Sequence, residues 1–169
     1  MMQRTCQEGM TLIELVIVVL VLGVLGSIAL PGFSAFMVRN KIGNDLSGLQ
    51  GDLQFARNEA ATRGQDVLVV ALSGATWSSG WLVRDSGGNV LRMRQGLTSG
   101  NVISGDGSGT ITFNRYGFTS THKIKLCTPN NADRDAKAIL IARTGRIRQA
   151  FDTGSDGVVD DGVVNFSCP

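Results

Sequence analysis

An apolar segment with a single acid close to its start is the feature that most constrains this chain. From Met10 to Leu30 the one ionisable side chain is Glu14. As a helix this segment would be roughly 30 Å long, about the thickness of a bilayer's hydrocarbon core. A carboxylate inside a membrane costs on the order of 2.5 to 3.5 kcal/mol on insertion scales, so it usually has a partner. We therefore expect a membrane anchor in which Glu14 meets a cation.

The residues around this acid resemble the precursors of type IV pilins and pseudopilins. Gly9 ends a short polar leader, and Met10-Thr11-Leu12-Ile13-Glu14 opens the apolar run. The resemblance implies that a prepilin peptidase cuts after Gly9, that the new amine of Met10 is methylated, and that Glu14 attracts a neighbouring subunit's N-terminal charge. The alternatives are a secretory signal, which needs a small-residue cleavage site after its apolar core, and a simple signal anchor. Cys6 precedes that core, so it does not fit a lipoprotein signal.

The resemblance also divides the chain. Residues 1–9 form the leader, residues 10–34 the transmembrane and assembly helix, and residues 35–169 a periplasmic head. At about 130 residues the head is large enough to bury one core. The formal charge is +2, and it stays so once the leader with Arg4 and Glu8 has gone, so total charge gives no information about an acidic partner.

The first part of the head, residues 35–64, is predicted to be an amphipathic helix that continues from the anchor. Apolar residues recur at alternating four-residue and three-residue steps, on one helical stripe. The stripe contains Ile42, Leu46, Leu49, Leu53, Ala56 and Ala60, while Asp45, Asp52, Arg57 and Arg63 fall outside it. Gly64 is the expected C-cap and Pro31 the expected kink. Gly43, Gly48 and Gly51 should weaken this helix.

The rest, residues 65–169, alternates short β-prone runs with Gly, Ser, Asn and Asp, which predicts antiparallel strands. The predicted strands are Val67–Leu72, Trp81–Arg84, Val90–Gln95, Thr110–Phe113, Lys123–Cys127, Ala138–Arg143 and Val163–Ser167. Ser86-Gly87-Gly88-Asn89 is typical of a hairpin connection. The expected fold class is therefore α+β, pilin-like, with a long N-terminal helix packed on an antiparallel sheet.

Two cysteines, Cys127 and Cys168, remain in the exported part, where the compartment favours oxidation. We predict that they pair, which is worth on the order of 4 kcal/mol in the chain-entropy model. Two free buried thiols are the alternative.

Three further segments resemble the branch called FimT/FimU in type IV pili and GspH in type II secretion. The first is Leu53-Gln54-Phe55-Ala56-Arg57-Asn58-Glu59-Ala60 with Arg63 and Val67; Arg57 and Glu59 alone could be solvated helix charges. The second is Ile111-Thr112-Phe113-Asn114 with Gly117, and the third is Gly145-Arg146-Ile147-Arg148. In FimT-like proteins the third motif is associated with DNA binding during natural transformation.

The residues support that association. In an extended strand Arg146 and Arg148 point the same way, about 7 Å apart, and could meet successive phosphates. From Arg115 to Arg148 there are eight Lys or Arg residues against two Asp, a local charge of +6. The expected DNA-binding patch adds Lys123, Lys125, Arg134, Lys137 and Arg143 to the two arginines. Binding would be weak, sensitive to salt and independent of sequence.

Other interpretations of this region stay open. One alternative is that the arginines are solvated edge charges that prevent strands of different molecules from pairing. Four acids without a base, Asp152, Asp156, Asp160 and Asp161, would repel DNA if they folded back onto the patch. Asp152, Asp156 and Asp160 partly match a calcium loop, but Gly154 and Val163 stand where ligands are expected, which favours a plain acidic turn. His122 lacks a catalytic partner in the sequence and is expected at the surface.

We therefore interpret the sequence as a non-enzymatic minor type IV pilin precursor without a cofactor. It would pass from the inner membrane, as a single-pass protein, into a pilus. Its expected partners are prepilin peptidase, other pilins or pseudopilins through the N-terminal helix, the inner membrane and double-stranded DNA. The alternatives are an H-type pseudopilin of a type II secretion system, which would bind other pseudopilins or exported proteins, and a pilus-priming subunit that does not bind DNA.

Overall fold

The computed structural model describes residues 11–97, 100–128, 136–152, 158–162, 166 and 168, without the side chains of 28–35, 38 and 39. It contains two compact units, residues 1–37 and residues 38–169. Several predicted features lie outside the described residues: the cleavage site at Gly9 and Met10, Arg134, Asp156 and most of the strand Val163–Ser167.

The longest element is the helix α1, Leu12–Arg63. Its first turn is capped by Thr11, whose Oγ1 accepts a hydrogen bond from the backbone N–H of Glu14 at 3.3 Å. The helical conformation continues through Pro31. The helix ends at Gly64, whose φ of 64° suits a residue without a side chain. The predicted helix over 35–64 is therefore the second part of one longer helix, and its predicted end is confirmed.

The first unit contains the apolar start of α1. Large apolar side chains between Leu12 and Leu25 are exposed on it. Within the described part of the chain, the helix does not meet the combined length and hydropathy expected of a membrane span. The membrane anchor over residues 10–34 stays a prediction.

The second unit is organised around the predicted apolar stripe of α1. All six of its residues, from Ile42 to Ala60, are at most 2% exposed and belong to the main core. Fully burying a Leu or Ile side chain contributes about 1.5 to 3 kcal/mol, so this stripe accounts for the docking of the helix on the sheet. The stripe prediction is confirmed.

The described residues form eight strands in one antiparallel sheet. They are β1 Val67–Ser73, β2 Thr76–Asp85, β3 Val90–Gln95, β4 Val102–Ser104, β5 Thr110–Phe113, β6 His122–Cys127, β7 Lys137–Ile141 and β8 Ile147–Gln149. The order is β5-β1-β2-β4-β6-β7-β8, and β3 pairs with β2 beside β4. The α+β fold class is confirmed.

The differences from the predicted strands have local causes. β4 and β8 are not among the predicted strands, because three residues are too few to show an alternating pattern. The predicted strand Ala138–Arg143 ends at Ile141, since Ala142 begins a turn. The predicted hairpin after β2 is confirmed: the N–H of Gly88 donates to the carbonyl of Asp85 at 3.1 Å.

Candidate nucleic-acid interface

The Gly145-Arg146 step lies in the hairpin between β7 and β8. The N–H of Gly145 donates to the carbonyl of Ala142 at 2.8 Å, and the N–H of Ala142 donates to the carbonyl of Arg146 at 3.0 Å. Gly145 has a φ of 73°, a conformation that favours glycine. A Cβ atom added to it would also stand 1.9 Å from the carbonyl oxygen of Gly117. The fold therefore needs this glycine, whatever the arginines bind.

The side chain of Arg57 in α1 contacts this hairpin. Its Nη2 donates to the carbonyl of Thr144 at 3.3 Å. Its side chain also lies against both glycines, 3.3 Å from a Cβ built at Gly117 and 2.7 Å from one built at Gly145. The interpretation of Arg57 as only a solvated helix charge is therefore wrong. Glu59, in contrast, pairs with Arg63 one turn further along the helix.

Arg146 and Arg148 line one cleft of about 270 Å³. We call it the arginine cleft; its lining includes Lys123, Leu140, Arg146, Arg148 and Asp161. Lys123, Leu140 and Arg148 are directly opposite one another in the register of β6, β7 and β8. Ile147 packs against the main core, so Arg148 points to the outer face of the sheet.

The two guanidinium groups are available to a ligand. Both side chains are exposed, and within the described residues we find no hydrogen bond or ion pair to either guanidinium group. A nucleic-acid backbone is recognised by charged groups of this kind. The arrangement can therefore offer two cations at one cleft.

The same cleft also contains an acid. The carboxylate of Asp161 forms an ion pair with the Nζ of Lys123, and the side chain of Asp161 is only 11% exposed. One of the four C-terminal acids thus folds back onto the basic surface. Sequence reasoning could not place it, because Asp161 is far from Lys123 along the chain.

The remaining predicted basic residues are dispersed. Arg143 is exposed at the tip of the hairpin, and Lys137 is half-buried at the start of β7. Lys125 is half-buried on β6 and interacts with another group. Of the five added basic residues, Lys123 alone lines the arginine cleft among those the structure describes.

The C-terminal segment reaches the cleft because it packs on β7. Phe166 and Val159 form a small second core with Ala138 and Leu140. Cys127 and Cys168 form a disulfide, with 5.8 Å between their Cα atoms. This segment therefore crosses the outer face of the sheet, which places Asp161 beside Lys123.

Within the described residues, no three His, Cys, Asp or Glu side chains form a group that could hold a metal ion. Asp160 is buried, and its Oδ1 accepts a hydrogen bond from the N–H of Gly162 at 2.6 Å. Asp152 is exposed. Calcium binding by Asp152, Asp156 and Asp160 therefore gains no support from the part of the chain that is described.

His122 is not a surface residue. It is 8% exposed, and its Nδ1 lies 2.9 Å from Oδ2 of Asp106. The prediction is wrong because His122 begins β6 in the same inward register as Ile124 and Leu126. The Thr and Ser residues before His122 are typical of a turn, so the sequence did not show that the alternating pattern of β6 begins at His122.

Sequence reasoning also missed a polar cluster between α1 and the β2–β3 hairpin. Asp52 was placed outside the helix stripe, yet it is 1% exposed. Its carboxylate accepts hydrogen bonds from Trp81 Nε1 at 2.9 Å, Arg92 Nη1 at 2.9 Å and Arg94 Nε at 2.8 Å. Burial raises the pKa of Asp52, but the hydrogen bonds from Arg94, Arg92 and Trp81 outweigh it and hold the pKa below the ordinary 3.8.

This cluster also explains one glycine of the helix. The guanidinium of Arg94 lies 3.4 Å from the position that a Cβ at Gly48 would take. The guanidinium of Arg92 stacks 3.9 Å from the ring centroid of Phe55. Two features of the sequence could have indicated the cluster. Asp52 stands three residues after Leu49, on the same side of the helix. Arg92 and Arg94 are two residues apart in β3 and therefore lie on one face of the strand.

Comparisons with known proteins agree with this architecture. The family model of the type II transport protein GspH matches residues 46–145, and the model of the prokaryotic N-terminal methylation motif matches residues 4–30. The chain is similar to the crystal structure of the type IV minor pilin FimU of Pseudomonas aeruginosa, with a TM-score of 0.60 and 22% identity over 67% of this chain and 90% of that chain. It is also similar to the minor pseudopilin EpsH from the type 2 secretion system of Vibrio cholerae, with a TM-score of 0.50 and 10% identity over 64% of this chain and 95% of that chain.

Proposed function

Because this chain belongs to the GspH family of type II transport proteins, we propose that it is a minor pilin whose head binds DNA in the arginine cleft. It is a minor pilin or pseudopilin with an N-terminal methylation motif, and its structural neighbours are a type IV minor pilin and a minor pseudopilin. Processing by a prepilin peptidase and assembly with other pilins or pseudopilins follow from that motif.

The processing and assembly residues are part of the proposal. Cleavage occurs after Gly9, and the amine of Met10 is methylated; both residues fall within the matched methylation motif. Glu14 then stands in the first turn of α1, exposed and four residues from the new N-terminus. A carboxylate there can pair with the N-terminal charge of a neighbouring subunit while the anchor waits in the inner membrane.

The observation that carries DNA binding is the pair Arg146 and Arg148. Both are exposed, both line one cleft, and one inward-facing residue separates them. Two exposed cations at this spacing suit the phosphates of a nucleic-acid backbone, which gives affinity without sequence specificity.

The test is a salt titration of duplex DNA binding by the mature, oxidised chain in non-ionic detergent. Loss of two phosphate contacts in Arg146→Ala with Arg148→Ala should weaken binding and reduce the slope of log K against log salt by roughly 1.8. The control is Lys41→Ala with Arg84→Ala, which removes the same charge from two exposed residues on other elements. Equal effects in both variants, or no binding by the wild type at low salt, would contradict the proposal.

The second candidate is a pseudopilin or priming subunit whose cleft binds a protein. The ion pair between Lys123 and Asp161 favours it, because a cleft that contains an acid is less suited to a polyanion than to a partner with both charges. Such a partner would be another pilin or pseudopilin, or an exported protein. Under this reading the arginine variant would lose filament assembly or secretion, and wild-type DNA binding would be absent.

A further inference from the structure

Two exposed aromatic side chains stand on the turn between β5 and β6. Tyr116 is 71% exposed and Phe118 is 50% exposed. We call residues 114–118 the aromatic turn. Large aromatic side chains usually bury their faces, so two on one short turn point to a surface that another molecule covers.

The aromatic turn has a fixed backbone. Oδ1 of Asn114 accepts hydrogen bonds from the N–H of Tyr116 at 2.9 Å and of Phe118 at 3.0 Å. The backbone of Asn114 adds two more bonds, one with Gly117 at 2.7 Å and one with Phe118 at 2.8 Å. Because the turn is already ordered, binding a ligand to its two rings does not require a loop to become ordered. This lowers the entropic cost of binding.

This turn and the arginine hairpin contact each other directly. The N–H of Thr119 donates to the carbonyl of Arg143 at 3.1 Å. Gly145 approaches the carbonyl of Gly117 so closely that a Cβ would not fit between them. The aromatic turn therefore lies beside the hairpin that contains Arg146.

The charge of this surface selects among possible partners. Arg115, Arg143 and Arg146 are all exposed on it. The nearby acid Asp66 accepts a bond from the backbone N–H of Arg115 at 3.2 Å. Flat apolar faces interleaved with guanidinium groups are the combination with which proteins hold single strands, because bases stack on the rings and phosphates meet the cations. In a duplex the bases stack on one another, so far less base surface is available to the rings.

We propose that Tyr116 and Phe118 stack unpaired bases, so that the head binds single-stranded DNA whose phosphates continue to Arg146 and Arg148. This inference rests on the proposed DNA binding and adds that the DNA is single-stranded.

The test compares a labelled oligo(dT) with a duplex of equal length, both bound by the full mature chain in non-ionic detergent. Tyr116→Ala with Phe118→Ala should weaken oligo(dT) binding by roughly tenfold or more for each base that is no longer stacked. Duplex binding and the salt slope should stay unchanged, because no cation is removed. Tyr116→Phe with Phe118→Tyr, which keeps both rings, should bind oligo(dT) like the wild type.

Phe151→Ala is the matched control, since Phe151 is 65% exposed beyond the opposite end of β8. Duplex binding that depends on Arg146 and Arg148, with oligo(dT) binding unaffected by loss of the rings, overturns this inference and leaves the proposed function intact. No binding of either DNA overturns both. Loss of filament assembly by the ring variant with unchanged oligo(dT) binding would identify a protein-docking surface and also overturn the inference.

Discussion

Asp161 forms an ion pair with Lys123 in the cleft that Arg146 and Arg148 line. The lysine is half exposed, whereas the acid is nearly covered. A phosphate that enters the cleft therefore meets two guanidinium groups and an ammonium that is already neutralised. The C-terminal segment thereby limits the affinity of the cleft for a polyanion.

Removal of this acid should increase DNA affinity. In Asp161→Asn we expect roughly fivefold tighter duplex binding at low salt, because one charge at contact distance is worth about 1 kcal/mol in water. The salt slope should steepen by about 0.9 as Lys123 becomes available to a phosphate. Stability should change by less than about 1 kcal/mol, because Lys123 is half exposed and its ammonium group can return to water. Glu59→Gln, which removes an acid paired with Arg63 outside the cleft, is the control; an equal gain there would indicate a general charge effect.

Gly145→Ala should damage both the fold and the DNA site. A Cβ there collides with the carbonyl of Gly117, in addition to the strain of a φ of 73°. Gly88→Ala is a matched control, since Gly88 has a φ of 89° and open space around it. The control should lose about 1 to 2 kcal/mol from backbone strain, and Gly145→Ala about 1 to 3 kcal/mol more. Chemical denaturation measures both; equal losses would mean that the close approach to Gly117 is unimportant.

Asp52→Ala should be strongly destabilising for a polar substitution on a helix. It leaves the buried Nε1 of Trp81 without its acceptor, which costs about 1 to 3 kcal/mol. Arg92 and Arg94 are each nearly half exposed and can return to water, so the loss should stay near the middle of that range. Asn58→Ala, an exposed change in the same helix, should be close to neutral. Comparable denaturation midpoints for the two variants would contradict a structural role for Asp52.

The carboxylates predict how stability depends on pH. The pKa of Asp52 lies below its ordinary value despite burial, and the pKa of Asp85 is lowered chiefly by the side-chain hydrogen bond from Asn89. A lowered folded pKa gives stability that is present above the ordinary 3.8 and is lost as pH falls from there through the folded pKa. Thermal melting should therefore drop steeply below about pH 4. Asp52→Asn with Asp85→Asn should flatten this drop, and an unchanged acid limb would contradict the assignment.

Elements with a periodic pattern of apolar residues could be predicted from the sequence. The stripe from Ile42 to Ala60 has the period of a helix, and Val90–Gln95 and Thr110–Phe113 match their strands at both ends. Each pattern depends only on local backbone geometry, so it can be recognised without knowing what packs against it. The methylation motif and the Gly-Arg-x-Arg step are likewise contiguous, which is why they could be found by resemblance.

Contacts between distant residues were decided by the tertiary structure alone. Asp161 meets Lys123, Asp52 meets Trp81 and Arg94, and Arg57 meets the hairpin at Gly145, each across a long stretch of chain. No local pattern encodes such pairs, because they depend on which strand lies beside which and on the face to which each side chain points. The sequence by itself determined a long helix, a β-rich head and two arginines that are separated by one residue. Only the packing of the C-terminal segment on β7 and of the aromatic turn on the hairpin decided what surrounds them.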